Sequence, residues 1–579
     1  MKQMRFFDSP VLGVTMPVWR SRLVLILLML GFSALAGKAL YLQGLSKDFL
    51  QQQGEKRYER TLVLPATRGK IFDRSGNVVM ASSIPVRAIW AIPDDARTLS
   101  DTDLTRLAKL LDMSPNEIKS RLADENRNFV YIKRQVPIEV AEEIRALKLS
   151  GIHQQGEMRR FYPEGEMAAH IVGFTNADDK GIEGVELNFN DELSGTPGSR
   201  RVIRDRLGRI IEDVQDIVPP KNGQDLRLSI DSGLQFDLYS ALRTAREENN
   251  ATAVAGVVLD VKTGEVLALV NLPTYDPNDL TQRRGAALRN RALTDTFEPG
   301  SIMKPFTVAL ALDMGRINLN SKFDTGRGEY RYYGATISDV SKHNGVLDPA
   351  GILRRSSNIG MAMISERLSP QEMWNKFTEL GFGRTPQADF PGVAAGKLRP
   401  WERWRPIERA TMSYGYGLSA SLIQIAHAYT AFARNGDMVA LTLLRRQGKA
   451  VSHQVFSPQV AKDVRAMLEA AAGPEGAKLA QVQGYRVAGK SGTARKIVNG
   501  KYSTLLYRSS FVGFAPVSNP RIVVAISIDE PKSKEYYGGR VAAPVFSEVV
   551  ARSLRRLGVP PDAPVKSLVA VGPERRDTR

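Results

Sequence analysis

Residues 23–42 form an almost unbroken apolar run with one charged side chain, Lys38, near its far end. About twenty residues at roughly 1.5 Å each span the hydrocarbon core of a bilayer. Residues 1–22 carry four basic side chains and one acidic side chain, and such a flank keeps an N-terminus cytoplasmic. The pattern predicts a cytoplasmic segment at 1–22, a single transmembrane helix at 23–42, and all later residues beyond the membrane. An Ala-Leu-Ala at 34–36 would also suit a signal-peptidase site, but the apolar run continues past it, which favours a retained anchor.

Residues 43–223 mix short strand and helix patterns with many turn residues. The polar stretch 43–60 predicts a stalk, and a strand is expected from Arg60 up to the proline that follows it. A strand–turn–strand unit is expected around Gly76. Residues 100–150 show helical periodicity, for example at Leu104, Leu107, Leu110 and Leu111, and the region of Asp101 and Thr102 is expected to cap the helix. We expect an α+β domain that ends at the Pro/Gly-rich hinge before residue 224.

Charged residues of this region do not form a catalytic arrangement in the sequence. They would serve either a structural network of ion pairs or a substrate site, and we favour the structural network. The residues are Arg68, Asp73, Arg160, Glu183 and Glu186.

Residues 224–558 have the pattern of one α/β domain in which helices lie between an early and a late group of strands. A strand at 224–231 and a helix at 233–248 precede a hairpin at 253–270, whose turn contains Lys262-Thr-Gly264. Further strands are predicted at 485–488, 509–515 and 522–528, followed by a closing helix at 544–557. We expect one mainly antiparallel sheet, built from both ends of the domain and flanked by helices. The Pro-rich, charged segment 559–579 predicts a flexible tail.

Composition narrows the function classes. The net charge is +18 over 579 residues, but the basic residues are scattered among acidic ones and match no nucleic-acid motif. The absence of cysteine excludes disulfides, thiolate chemistry and cysteine-based zinc sites. The five histidines have no metal-binding spacing. We therefore expect no metal, no cofactor and no nucleic-acid partner.

Ser301 and Lys304 are one turn apart in a predicted buried helix that begins after Pro299-Gly300. A serine hydroxyl is a weak nucleophile until a base removes its proton. A lysine on the same helix face, with its pKa lowered by burial or by a second cation, can be that base. Alone, the pair is also compatible with an exposed lysine beside an N-cap serine.

Two later motifs supply the groups that this chemistry requires. Ser356 can relay a proton to a leaving amine, and Asn358 can hold Lys304 and a substrate carbonyl. Lys490 adds a positive charge that lowers the pKa of Lys304. The next three residues suit substrate binding: Gly492 admits a substrate backbone to the strand edge, and the hydroxyls bind a carboxylate. Those three are Ser491, Gly492 and Thr493.

An S-x-x-K followed by S-x-N and K-[ST]-G marks penicillin-binding proteins and serine β-lactamases. The chain resembles a class B penicillin-binding protein over nearly its whole length, and most resembles the division-specific FtsI type. The motifs that carry the resemblance lie in both predicted domains. In the first they are Arg68-Gly…Asp73-Arg74-x-Gly76, Arg160-Phe-Tyr-Pro163, Ala169-His170 and Gly181-x-Glu183-Gly184; in the second, Phe297-Glu-Pro-Gly-Ser301, Ser356-Ser-Asn358, Tyr414-Gly-Tyr-Gly417, Lys490-Ser-Gly-Thr493 and Tyr537-Gly-Gly…Ala543-Pro-Val-Phe546.

The resemblance implies a non-catalytic pedestal domain at 43–223 and a penicilloyl-serine transpeptidase domain at 224–558. It implies a peptidoglycan D,D-transpeptidase for septal synthesis, in which Ser301 forms an acyl-enzyme with stem peptides and is acylated by β-lactams. It further implies a single-pass protein of the bacterial inner membrane with a periplasmic catalytic domain. The implied partners are lipid II-derived glycan, an FtsW-type glycan polymerase and other divisome proteins. An aromatic wall beside the substrate is implied for Tyr507, Tyr536 and Tyr537, which would otherwise be ordinary core aromatics.

Other members of this superfamily remain as alternatives. An elongation-type transpeptidase differs mainly in pedestal insertions and partners. A β-lactamase needs a second base for the deacylating water, for which the sequence offers no convincing candidate, and a D,D-carboxypeptidase would not need a large pedestal. A β-lactam sensor would need a signalling domain, for which 1–22 has no room. No glycosyltransferase signature precedes the pedestal, which argues against the bifunctional class.

Overall fold

The computed structural model describes residues 18–42, 59–123, 129–204 and 210–564. These residues divide into two units, which are described separately: residues up to 66 with 196–222, and residues 67–195 with 223 onward. The predicted pedestal at 43–223 is thus shared between both units. Most of the predicted stalk, residues 43–58, lies outside the described residues.

The strands are numbered in chain order. They are β1 Glu59–Leu64, β2 Ile71–Phe72, β3 Val79–Ala91, β4 Val130–Val136, β5 Ile152–Phe161, β6 Gly198–Arg204, β7 Ile210–Val218, β8 Leu226–Arg227, β9 Ala253–Asp260, β10 Val266–Leu272, β11 Thr296–Phe297, β12 Phe323–Asp324, β13 Glu329–Tyr332, β14 Ala335–Ser338, β15 Val346–Leu347, β16 Ala420–Ser421, β17 Asp437–Val439, β18 Ser452–Gln454, β19 Ala488–Val498, β20 Lys501–Ala515 and β21 Ile522–Asp529.

The α-helices are numbered in the same way. They are α1 Val18–Leu40, α2 Pro93–Ala96, α3 Asp101–Leu110, α4 Pro115–Leu122, α5 Ile138–Ala146, α6 Ala169–Val172, α7 Gly184–Asn188, α8 Asn190–Ser194, α9 Ser232–Glu248, α10 Arg291–Thr294, α11 Lys304–Asp313, α12 Pro349–Arg355, α13 Asn358–Glu366, α14 Pro370–Glu379, α15 Pro406–Ser413, α16 Leu422–Ala433, α17 Pro458–Ala471 and α18 Gly538–Arg556.

The first unit contains the apolar helix α1 and a three-stranded antiparallel sheet in the order β1-β6-β7. Helix α1 is long and apolar enough to cross a membrane, and it begins five residues before the start predicted at residue 23. The predicted strand from Arg60 is present as β1, and it ends at Leu64, just before the proline.

The second unit begins with a five-stranded sheet in the order β4-β3-β2-β8, with β5 also paired to β3. Helices α3, α4 and α5 bury Leu107, Ile118 and Ile144 in one apolar cluster with strands β3 and β4. The predicted helix that contains Leu104 is therefore present. Its N-cap is Ser100, one residue before the predicted cap region, and the Ser100 hydroxyl accepts from the Asp103 N–H.

A buried carboxylate joins two arginines in this part of the chain. Glu186 accepts a hydrogen bond from Arg68 Nε at 2.6 Å and one from Arg160 Nε at 2.6 Å, and all three side chains are almost completely buried. Asp73 instead accepts from Ser75 and Gly76 within the β2–β3 turn. Three of the five predicted charged residues thus form a structural network, and Asp73 stabilises a turn.

The central sheet of the second unit is antiparallel, with the order β10-β9-β21-β20-β19. Its strands come from both ends of residues 253–529, as predicted. Val254 and Val258 of β9 pack in one cluster with α9 and α18, while Val257 and Leu259 pack in the other with the helical insert. Both faces of the sheet are covered, and β19 is left at one edge.

Three predicted boundaries are wrong in position. The strand expected at 224–231 is limited to Leu226–Arg227. The strand expected at 485–488 starts at Ala488 and runs to Val498, so the Lys490 motif lies within a strand. The closing helix starts at Gly538 rather than residue 544, and Pro544 lies inside it. Pro544 is on the exposed side, while Val541 and Val545 are buried, so packing outweighs the hydrogen bond that a proline removes.

The chain beyond the closing helix is hydrogen-bonded to the domain as far as Ala563, whose N–H donates to Gly484 O at 3.1 Å. The Asp562 carboxylate accepts from the N–H groups of Arg486 (2.7 Å) and Ser518 (3.1 Å). The start of the predicted tail at 559–579 is therefore held against the domain, and residues 565–579 lie outside the described residues.

Candidate active site

Ser301 lies in a short 3₁₀ turn, Gly300–Met303, that leads directly into α11 at Lys304. Ser301 is partly exposed, whereas Lys304 is fully buried. Gly300 has φ +59° and donates its N–H to Gly415 O at 3.0 Å. A Cβ on Gly415 would lie 2.2 Å from Gly300 O. The Tyr414–Gly417 motif therefore supports the turn that presents Ser301.

Ser356 lies between α12 and α13 and connects Lys304 with Ser301. Lys304 Nζ donates to Ser356 O at 2.5 Å and to Ser356 Oγ at 3.2 Å. Ser356 Oγ lies within hydrogen-bond distance of Ser301 Oγ, at 3.0 Å. Because a hydroxyl both donates and accepts, these contacts form a continuous path for a proton from Ser301 to Lys304.

The charge state of Lys304 depends on its surroundings. Burial holds its pKa well below the ordinary lysine value, the positive charge of Lys490 lowers it further, and the Asp339 carboxylate opposes both. Lys490 is itself almost completely buried, and burial lowers its pKa to about 8. Its Nζ donates to Ser491 O at 3.0 Å. These effects favour a neutral Lys304 amine, which can accept a proton.

Asn358 is the first residue of α13, and its amide donates to Ser338 O at 3.0 Å. Both hydrogen bonds of Lys304 Nζ go to Ser356, so the expected contact between Asn358 and Lys304 is not made here. The helix N-cap is Ser357, whose hydroxyl accepts from the Gly360 N–H at 2.9 Å. The cap thus leaves the Ser356 side chain free for the contact with Ser301.

Ser491, Gly492 and Thr493 lie on the edge strand β19, next to the Ser301 turn. A Cβ on Gly492 would lie 3.1 Å from Pro299 O and from the Ile302 side chain, so glycine permits the close approach of strand and turn. Thr493 Oγ1 accepts from the Gly538 N–H at 2.9 Å, which leaves its own proton to donate. The edge of β19 and the Ser301 turn therefore border one cleft.

Three tyrosines stack in sequence near this strand. The ring of Tyr536 lies 4.2 Å from that of Tyr507 and 4.5 Å from that of Tyr537, centroid to centroid. Tyr507 is paired with Arg495 in the β19–β20 register. The three rings thus form one aromatic surface, and its role as a wall beside the substrate stays a prediction.

Two residues near the site were not assigned a role from the sequence. The Asp339 carboxylate accepts from the N–H of Asn358 at 2.6 Å. Glu298 accepts from the Gly417 N–H at 2.7 Å and from Tyr502 OH at 3.1 Å, and burial raises its pKa. Glu298 belongs to the Phe297–Ser301 motif, but no role was predicted for it. Both carboxylates contact residues that are distant in sequence, and no local spacing predicts such contacts.

Comparison with known families agrees with this geometry. Residues 254–551 match the penicillin-binding protein transpeptidase domain, and residues 63–228 match the penicillin-binding protein dimerisation domain. The chain is 41% identical over 558 residues to the probable peptidoglycan D,D-transpeptidase PenA of Neisseria gonorrhoeae, covering 96% of this chain and 95% of that protein. It is 38% identical over 552 residues to the peptidoglycan D,D-transpeptidase FtsI of Escherichia coli K12, covering 94% of this chain and 93% of that protein.

A solved structure matches more than half of the chain. The apo TP domain of Burkholderia pseudomallei penicillin-binding protein 3 aligns with a TM-score of 0.54 and 50% sequence identity, covering 58% of this chain and 98% of that structure. The near full-length identity to PenA and FtsI extends the relationship to the N-terminal region. The chain therefore belongs to the penicillin-binding protein transpeptidase family, among the FtsI- and PenA-type D,D-transpeptidases.

Proposed function

We propose that this protein is a septal peptidoglycan D,D-transpeptidase that cross-links stem peptides through an acyl-enzyme on Ser301. The observation that carries the proposal is the path of contacts from Ser301 Oγ through Ser356 Oγ to the buried Lys304 amine. The septal role rests on the resemblance to the FtsI type.

In the acylation step, Ser301 Oγ attacks the carbonyl carbon of the penultimate D-alanine. The hydroxyl proton passes through Ser356 to the neutral amine of Lys304. The N–H groups of Ser301 and Thr493 stabilise the oxyanion of the tetrahedral intermediate. Its collapse breaks the peptide C–N bond, and the proton returns through Ser356 to the leaving nitrogen of the terminal D-alanine.

In the second step, an amine of a neighbouring stem peptide attacks the ester carbonyl. The amine loses one proton to the same base, and Ser301 Oγ leaves and regains a proton. Lys490 keeps Lys304 deprotonated and attracts the donor carboxylate, which the Ser491 and Thr493 hydroxyls bind. Asn358 orients a substrate carbonyl at the other side of the cleft. A β-lactam carbonyl would acylate Ser301 by the same first step.

The remaining assignments follow the same proposal. Tyr507, Tyr536 and Tyr537 provide an apolar wall for the substrate. We assign 1–22 to the cytoplasm, 23–42 to a single span of the inner membrane, 43–223 to stalk and pedestal, and 224–558 to a periplasmic transpeptidase domain. The partners are an FtsW-type glycan polymerase and other divisome proteins.

The test uses the full-length protein in detergent with a stem pentapeptide that ends in D-Ala-D-Ala and a second peptide as amine acceptor. We expect D-alanine release together with the cross-linked dimer, and neither product from Ser301→Ala. Release of D-alanine with only the hydrolysed tetrapeptide would indicate a carboxypeptidase instead. No turnover of the wild type, with or without its glycan polymerase, would reject the proposal.

A further inference from the structure

The carboxylate of Asp339 lies at the start of α13 and accepts four hydrogen bonds. Its Oδ1 accepts from the N–H groups of Asn358 at 2.6 Å and Ile359 at 3.0 Å. Its Oδ2 accepts from the Ser357 hydroxyl at 2.6 Å and from the Asn344 side-chain amide at 2.9 Å. Asp339 is only 8% exposed, and all four of these donors are uncharged. A carboxylate in this position satisfies orphan N–H groups and complements the helix dipole.

Ser356 precedes this helix start in a left-handed conformation, with φ 57° and ψ 39°. A residue other than glycine keeps such a conformation only where its surroundings fix it. On one side, the N–H of Ser357 donates to Ile352 O of α12 at 3.0 Å. On the other side, Asp339 accepts three of its four hydrogen bonds from the next residues of the turn, Ser357, Asn358 and Ile359. Asp339 therefore fixes the side of the turn from which Ser356 Oγ reaches Ser301.

Asp339 also acts on the base. The charged groups that act on Lys304 are Lys490, from β19, and Asp339, from the loop after β14. The negative charge of Asp339 favours the protonated form of Lys304. It therefore raises the pKa of Lys304, which burial and Lys490 lower. A helix cap far from the site would have no such effect.

We propose that Asp339 is a positioning residue for acylation: through its hydrogen bonds to Ser357, Asn358 and Ile359 it holds the Ser356–Asn358 turn in register with Ser301. The inference rests on the proposed function, because it assigns Lys304 as the base. Asp339 lies outside the S-x-x-K, S-x-N and K-[ST]-G motifs, and it acts through residues of the first two.

The test is the second-order rate constant for acylation by benzylpenicillin, measured from pH 5 to pH 9 on the full-length protein in detergent. Asp339→Asn keeps the shape of the side chain and removes its charge. The matched control is Asp348→Asn, because Asp348 caps the neighbouring helix α12 through the Gly351 N–H at 2.7 Å. We expect the Asp339 variant to lose roughly ten- to a hundred-fold in plateau rate, because the turn is misplaced. We also expect its acid limb to move down by about one pH unit, because Lys304 loses a proton more readily.

Asp348→Asn should keep the plateau and the acid limb of the wild type. An Asp339 profile that coincides with the wild type, with only a lower melting temperature, would show that Asp339 is a helix cap and would overturn the proposal. If Asp339→Asn does not fold, Ser357→Ala decides: the proposal expects a several-fold lower plateau with an unmoved acid limb, and an unchanged plateau overturns it. A wild type that is never acylated would instead reject the proposed function.

Discussion

Lys304 Nζ donates to the main-chain oxygen of Ser356 at 2.5 Å, across 52 residues of sequence. This contact fixes Ser356 by its backbone, so that its hydroxyl faces Ser301 as well as Lys304. The main-chain contact does not depend on the serine side chain. A mutation can therefore remove the proton transfer through the Ser356 hydroxyl while the backbone of Ser356 keeps its position.

Ser356→Ala removes the hydroxyl and leaves the main-chain contact to Lys304. We expect acylation by benzylpenicillin to slow by about a hundred-fold or more, the usual contribution of a positioned proton-transfer group. Ser356→Gly is the matched control, since it also lacks the hydroxyl but suits the left-handed backbone. It should show the same rate loss and a free energy of unfolding about 1 kcal/mol higher than the alanine variant. A rate within twofold of the wild type in either variant would contradict a relay through Ser356.

Lys490→Gln removes the positive charge that lowers the pKa of Lys304. Burial, the larger cause, still lowers this pKa, but the value should rise without the second cation. Since the base acts as the neutral amine, the acid limb of the acylation profile should move to higher pH by about one unit. Lys496→Gln, on the same strand but paired with Asp529 and Glu530, should leave the limb in place. Identical limbs for Lys490→Gln and the wild type would argue against this electrostatic role.

Glu186→Gln leaves Arg68 and Arg160 buried without their shared carboxylate. Breaking a buried ion pair commonly costs about 3–5 kcal/mol, so we expect a clear fall in melting temperature. Glu117→Gln provides the control, because Glu117 pairs with Arg121 on an exposed helix surface at 2.9 Å, where a pair contributes about 0.5 kcal/mol or less. Equal melting temperatures for the two variants would show that the buried network does not stabilise the fold.

His170 should make stability depend on pH. It is buried, lies within hydrogen-bond distance of Ala287 O at 2.7 Å, and burial lowers its pKa to about 4. The unfolded chain binds a proton near pH 6.5, so stability is complete above that pH and is lost as the pH falls towards 4. The loss should reach about 3 kcal/mol. Denaturant unfolding at several pH values should show a smaller loss in His170→Gln than in the wild type; an equal loss would assign the effect to other groups.

The sequence predicted the elements whose signals are local. The hairpin 253–270 and the strand 522–528 have continuous apolar runs, and the order of the three motifs predicted the groups gathered around Ser301. The strand predicted at 485–488 stopped short of Lys490, because Gly489 and Gly492 weaken the strand pattern. The glycine at 492 permits the close approach of β19 to the Ser301 turn, and a Cβ at 489 would lie 2.7 Å from the Phe511 ring.

Other features depend on contacts between distant segments. Asp339 lies 19 residues before Asn358, and no periodicity connects a loop carboxylate with the helix start that it caps. Pro544 suggested a helix start, because proline is favoured in a first turn, yet the buried face of α18 extends the helix before it. In both cases tertiary packing overrides the local pattern.

The most direct test of the central claim is the mass of the intact protein after incubation with benzylpenicillin, with Ser301→Ala as the control. We predict a single adduct that lasts for hours, maps to Ser301 and is absent from the control. Rapid return to the unmodified mass with hydrolysed drug would indicate a β-lactamase. The absence of any adduct on the folded wild type would contradict the assignment of Ser301 as the nucleophile.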